Sequence, residues 1–271
     1  MVTVVTGATG QVGRLVVERL RTAGEKVRAV TRGSVEPGVE TVRGDLREPD
    51  SLVGAFEGAD RLYLFPVAET AREVVDLARR AGIERIVVLS SGAVTTGHDT
   101  DFHLPVEQAV EASGLEWTHV RPGAFAMNSL HLWGPSVRAG RTVIDPYPDQ
   151  VDQPVHEADI ADIAAAALLE DGHNGVAYTF VGPEQLSHRD QVAALEAAIG
   201  EPIQLPEVTA EQALEHYRRQ GGWAAASAEF LFGGQPYSAE PGEPQPFVPR
   251  PSEFRARTYA EWARGHADDF R

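Results

Sequence analysis

The chain opens with a short apolar, β-branched run from Val2 to Val5 that stops at Gly7-Ala8-Thr9-Gly10-Gln11-Val12-Gly13. An amphipathic run carrying Val12, Leu15, Val16 and Leu20 begins at once. Strand, tight turn and helix in so little sequence restrict the fold to one that opens on a βα unit. The three glycines have separate physical tasks: one lets the chain turn, one lets backbone N–H groups approach a phosphate, and one lets helix and strand pack closely. The helix start then presents unpaired N–H groups and a positive dipole end to an anion. Gly7, Thr9, Gly10, Gln11, Val12 and Gly13 are therefore candidate contacts for a dinucleotide pyrophosphate.

The rest of the chain continues the alternation. Strand-like runs at 26–31, 40–43, 61–65, 85–90 and 116–121 are separated by helical patterns at 11–23, 48–56, 68–81 and 104–113, with Gly24, Gly58, Gly82 and Gly114 where helices must end. This predicts an α/β fold, a doubly wound parallel (Rossmann) sheet with its ligand at the carboxyl ends of the strands. Beyond about Pro122 the rhythm changes: helices at 157–169 and 188–199 flank a strand at 176–181, and helical stretches follow at 210–219 and 258–267. Residues 233–251 hold six prolines and three glycines and read as a loop. The expected division is a dinucleotide-binding domain over 1–150 and a smaller α/β substrate lobe over 151–271, interleaved with the last sheet strands.

Composition excludes several classes of function. Zero cysteines rule out disulfides, thiol nucleophiles and cysteine-bound metals, and fit a reducing compartment. A net charge of −16 argues against nucleic acid or an anionic membrane as partner. No apolar run is long enough to span a bilayer, and Met1 leads straight into a strand, so a cytoplasmic protein without a signal peptide is expected. Lys26 is the only lysine, an arginine bias usual in high-GC bacteria.

The end of the second strand bears on cofactor choice. It reads Val30-Thr31-Arg32-Gly33-Ser34, with no carboxylate until Glu36. An acidic side chain there would accept from a ribose 2′-OH, whereas a guanidinium pairs with a 2′-phosphate. Arg32 therefore predicts NADP(H). Phe65-Pro66, ending the fourth strand, is expected to wall the cofactor cleft.

The opening Gly7-x-x-Gly10-x-x-Gly13 resembles the T-G-x-x-G-x-x-G turn of the short-chain dehydrogenase/reductase superfamily, in its atypical and extended branches. The segment Ser113-Gly-Leu-Glu-Trp-Thr-His-Val-Arg-Pro-Gly-Ala-Phe125 is similar to one found in NmrA-like proteins. His103 and Glu107 fit their H-x-x-x-E pattern, Val155 to Ala161 their V-x-x-x-D-I-A helix start, and Gly182-Pro-Glu184 their next loop. The resemblance implies an NAD(P)H-binding, quinone-reductase-like protein. It implies further that Asp45-Leu46 lies against the adenine, that Ser90, His103 and Pro122-Gly123 lie near the nicotinamide, and that Phe125, Asn128 and Trp133 reach the substrate. Core packing is the alternative for the last group.

The sequence departs from that superfamily where its chemistry should be. Typical members use Tyr-x-x-x-Lys, but no tyrosine here has a lysine four residues on; alignment on Glu107 and Gly114 puts Asp99 in the tyrosine position and His103 in the lysine position. Three readings stay open. One is a reductase of a quinone-like or aromatic acceptor whose proton comes from water or from His103, with Ser90 or Ser91 as hydrogen-bond donor; His103 reads equally as a helix-start histidine that bonds only the ribose or the backbone. The second is a non-catalytic NADP(H) sensor that binds another protein. The third is a biosynthetic reductase or isomerase whose donor is Tyr147, His131 or Tyr178. His98, Asp99, Asp101, His103 and Glu107 form a weak metal-like cluster, and no metal is expected. Oligomerisation is left open.

Overall fold

The computed structural model describes residues 1–33, 38–232 and 255–271. In chain order the elements are β1 (Val2–Val5), α1 (Gly13–Thr22), β2 (Lys26–Thr31), β3 (Glu40–Arg43), α2 (Val53–Phe56), β4 (Arg61–Leu64), α3 (Ala71–Ala81), β5 (Arg85–Leu89), α4 (Gly92–Thr95), α5 (Leu104–Glu111) and β6 (Glu116–Pro122). They continue with α6 (Met127–Gly140), β7 (Val151–Asp152), α7 (Glu157–Leu169), β8 (Val176–Phe180), β9 (Leu186–Ser187), α8 (His188–Ile199), α9 (Ala210–Gln220), α10 (Gly222–Phe232) and α11 (Tyr259–Gly265).

Seven strands form one parallel sheet in the order β3-β2-β1-β4-β5-β6-β8. Central strands read as nearly continuous apolar runs because helices cover both faces: Ile86, Val87 and Val88 have no exposed surface. On one side α1 packs with α7, and on the other α3 packs with α5. The order reverses between β1 and β4, which creates a crevice outside their carboxyl ends. Glycines close the helices as expected; Gly82, for example, caps α3 at φ +89°.

Among the described residues the chain divides into two compact units. The first comprises Met1–Gly123 and Glu157–Phe180, and the second Ala124–His156, residues 181–232 and Arg255–Arg271. The parting thus falls at Gly123 rather than at residue 150, and α7 with β8 returns to the sheet because β8 needs β6 as its hydrogen-bonding neighbour. The second unit has its own core, in which Trp133, Leu195, Tyr217, Trp262 and Phe270 are buried together. The expected loop at 233–251 lies outside the described residues.

Helix α6 is not legible in the sequence, because Gly134, Pro135 and Gly140 read as breakers. Pro135 cannot donate to the carbonyl of His131, and Gln220 does so instead: its Nε2 lies 2.8 Å from that oxygen and 3.2 Å from the carbonyl of Leu132. A side chain from α9 thus supplies the donor that proline removes, and the helix continues to Arg141, which ends it at φ +49°.

Candidate active site

The turn after β1 is built to leave a backbone surface open. Gly7 stands at φ +61°, and the N–H of Gly10 donates to its carbonyl at 2.9 Å. A Cβ on Gly13 would lie 2.1 Å from the Gly7 oxygen, and one on Gly10 would lie 3.1 Å from it. Thr9 and Gly10 are exposed, Gln11 is half-buried, and buried Val12 starts α1 without a side-chain cap. Close helix–turn packing at Gly13 and exposed backbone at Gly10 fit the cradle that a pyrophosphate requires.

Thr6, which sequence reasoning passed over, fixes the opposite wall. Its buried hydroxyl donates to the Tyr63 carbonyl at 2.9 Å and accepts from the Phe65 N–H at 2.8 Å, tying the end of β1 to the end of β4. A Cβ on Gly7 would meet the Phe65 ring at 3.4 Å, so Phe65 stands against the glycine turn, 42% exposed, with Pro66 buried behind it in sequence. Leu46 and Phe65 line one apolar recess with Leu64, Val67 and Val106. Arg32, 76% exposed at its side chain, lies 3.9 Å from Asp45, whose other oxygen accepts from the Arg47 N–H at 2.9 Å.

At the end of β5, Ser90 is buried and Ser91 half-buried. Ser90 donates to buried Glu107 at 2.5 Å, and Ser91 caps α4 by accepting from the Ala93 N–H at 3.2 Å. The Ser90 hydroxyl is thus committed to Glu107, whereas Ser91, accepting at the helix start, keeps its O–H as a donor. Pro122 and Gly123 border this end of β5: a Cβ on Gly92 would lie 3.3 Å from the Pro122 carbonyl. Glu107 also accepts from Arg121 Nε at 2.8 Å and Nη2 at 2.5 Å. Burial pushes the Glu107 carboxyl up, but the hydrogen bonds from Arg121 and Ser90 outweigh it and hold the pKa below its ordinary value.

His103, at the start of α5, pairs its Nδ1 with Asp99 Oδ2 at 2.5 Å. The other Asp99 oxygen accepts from the backbone N–H groups of His103 at 2.9 Å and Phe102 at 3.1 Å. Burial again pushes the carboxyl up, and the His103 hydrogen bonds with the Phe102 N–H bring it below its ordinary value, so Asp99 is a carboxylate. The metal-like cluster does not gather: Asp99 turns to His103, His98 Nδ1 to Thr96, and Glu107 to Arg121. Among the described residues one trio, Glu107, Glu111 and His119, brings ligand atoms within 4.8 Å, and there the Arg121 guanidinium already neutralises Glu107.

In the second unit Phe125 pairs with Val155, and the Ala126 N–H donates to the Val155 carbonyl at 2.9 Å. Gly182 completes this crossing, since a Cβ there would lie 2.0 Å from the Pro154 carbonyl. Phe125 and Asn128 are half-buried, but Trp133 is only 3% exposed and belongs to the core rather than to an open wall. In the first unit Tyr178 turns its hydroxyl to His173 Nδ1 at 2.6 Å, in the loop that leads into β8.

Residues 7–171 match a protein family described as NAD(P)H-binding. The chain belongs to the NAD(P)H-binding family. It is 33% identical to the (4-alkanoyl-5-oxo-2,5-dihydrofuran-3-yl)methyl phosphate reductase of Streptomyces griseus subsp. griseus, across 98% of each chain. It is 32% identical, again across 98% of each, to the NAD(P)H azoreductase of Xenophilus azovorans. Among solved structures, the NADPH-dependent quinone oxidoreductase of Escherichia coli complexed with NADPH superposes with a TM-score of 0.71 at 24% identity, covering 86% of this chain and 87% of that one. That likeness is one of fold.

Proposed function

We propose that this chain is an NADPH-dependent oxidoreductase that reduces a quinone or similarly conjugated aromatic small molecule in the cytoplasm, without a Tyr-x-x-x-Lys pair. The observation that carries this reading is that successive carboxyl ends of one parallel sheet bear Gly7–Gly13, Arg32, Phe65, Ser90 and Pro122-Gly123. The glycine turn and the start of α1 would hold the pyrophosphate, Arg32 the 2′-phosphate, and Asp45, Leu46 and Phe65 the wall about the adenine half. When bound, the nicotinamide supplies hydride. His103, oriented by Asp99, is the group on this chain suited to deliver the accompanying proton. Phe125 and Asn128 are offered for the acceptor.

Conjugated acceptors suit such a site because their reduced anions are delocalised and need a weaker acid than an alkoxide does. Two relatives of near-complete coverage are named reductases, which supports the same chemistry here. Tyr178, with its hydroxyl held by His173, is a poor candidate for the proton donor.

The test is single-turnover oxidation of bound NADPH on addition of quinones, azo compounds and conjugated carbonyls. Oxidation by conjugated acceptors, with simple aliphatic ketones at least tenfold slower, is expected. NADPH binding with no oxidation by any of them would replace the enzyme with a cofactor-sensing regulator.

A further inference from the structure

We propose that Asp99 is a positioning residue that fixes the His103 tautomer, so that the two form a carboxylate–imidazole pair at the positions that the resemblance to typical short-chain reductases assigns to tyrosine and lysine. The inference rests on the reductase reading above and adds to it the atom that carries the proton.

Geometry assigns the roles. Asp99 cannot rotate freely, because Oδ1 is held by the backbone N–H groups of Phe102 and His103 while Oδ2 faces His103 Nδ1 at 2.5 Å. A carboxylate accepts only, so the ring must place a proton on Nδ1, and Nε2 becomes the atom that exchanges protons. The Phe102 ring stands edge-on to the imidazole at 4.8 Å and limits its rotation. Of the two carboxylates on α5, Glu107, one turn along from His103, is taken by Arg121 and Ser90, and Glu111 pairs with His119, so neither competes for His103.

The step moves one proton. The Nε2–H bond of the His103 imidazolium breaks, and an O–H, N–H or C–H bond forms on the anion left when the acceptor has gained hydride. Neutral imidazole remains with its Nδ1–H on Asp99, and solvent reprotonates Nε2. Asp99 stays ionised throughout, as an orienting carboxylate does in a hydrolase triad.

The Asp99→Asn variant tests this, because an amide oxygen still accepts from the two backbone N–H groups while the amide NH2 can now donate to Nδ1. In ring ¹⁵N–¹H correlation spectra of the cofactor-free protein, the neutral His103 imidazole should carry its proton on Nδ1 in the parent and shift towards Nε2–H in Asp99→Asn. With NADPH and a quinone, kcat should fall at least tenfold in Asp99→Asn and in His103→Ala, with the NADPH Kd unchanged within about threefold. A parent imidazole protonated on Nε2, or an Asp99→Asn variant of parental kcat beside an impaired His103→Ala, overturns the inference and leaves the reductase reading standing. A parent that oxidises no NADPH with any acceptor overturns the reductase reading and the proton-delivery role with it; the tautomer is still decided by the spectra.

Discussion

Arg121 grips both oxygens of Glu107, Nε at 2.8 Å and Nη2 at 2.5 Å, and so ties the end of β6 to the helix that begins at His103. Ser90 joins the same carboxylate at 2.5 Å, and Arg121 Nη1 reaches Thr95, whose hydroxyl meets that of Thr179 at 2.7 Å. One buried ion pair thereby links β5, β6, β8, α4 and α5. A carboxylate 1% exposed is tolerable because both of its oxygens accept and its charge is paired with Arg121.

Removing the charge on one side should therefore cost much more than a surface substitution. Glu107→Gln leaves Arg121 partly buried without its counter-ion and should lower unfolding free energy by roughly 3 kcal/mol at neutral pH. Because the folded pKa of Glu107 is depressed, its contribution is present above the unfolded carboxylate value and is lost as pH falls through the folded one. Urea titrations of the parent at neutral and acid pH should converge on those of the variant as pH falls. Equal stability of the two at neutral pH would refute this account.

The glycine turn yields a graded pair of variants. Gly13→Ala drives a methyl to 2.1 Å from the Gly7 carbonyl, which only backbone displacement can relieve, whereas Gly10→Ala meets the same oxygen at 3.1 Å. Gly13→Ala should lower the Tm and abolish measurable NADPH binding. Gly10→Ala should keep the parental Tm within a few degrees and weaken NADPH about tenfold by covering exposed backbone, a loss of about 1.4 kcal/mol. Calorimetric titration beside thermal melts reads both effects, and parental affinity in both variants would remove the turn from the cofactor site.

Much of this is legible in the amino-acid sequence alone. The strands of the sheet and helices α7 and α8 follow directly from apolar period and glycine stops, because a buried parallel sheet leaves a strong local signal. Helix α6 is not, since the group that compensates Pro135 is Gln220, distant in sequence. The partners of Ser90 and Ser91 are not legible for the same reason: that Ser90 donates to Glu107 and Ser91 accepts at the α4 start follows only from the fold. Asp99 showed only as the occupant of another residue's position, and its pairing needed the turn that brings it back onto α5.

Cofactor choice should rest on Arg32. Its guanidinium is 3.9 Å from Asp45 and largely solvated, a loose pairing that a 2′-phosphate can displace with little loss. The parent should bind NADPH at least tenfold more tightly than NADH, a difference of about 1.4 kcal/mol. In Arg32→Ala the two affinities should come together through loss of NADPH binding alone. A preference that survives the substitution would move 2′-phosphate recognition to another residue.

The second unit contains a charged histidine whose titration should be visible in stability. His188, at the start of α8, is bracketed by Asp145 on Nδ1 at 2.7 Å and Asp152 on Nε2 at 2.9 Å, and the edge of Trp133 faces its ring at 5.9 Å. Burial alone would push its pKa down, but hydrogen bonds and charge from the two aspartates reverse this and raise it to about 9. Asp145 is itself buried and accepts from the Tyr147 N–H at 2.7 Å, so the imidazolium fastens the segment before β7 to α8. A folded pKa above the unfolded one means that the stabilisation is complete below about pH 6.5, declines above it, and is gone once pH passes about 9. The Tm of the parent should therefore fall between those limits. His188→Gln should start lower, because buried Asp145 then lacks a counter-charge, and should fall less steeply over the same interval. Parallel Tm-versus-pH slopes for the two proteins would show that His188 is not the titrating group.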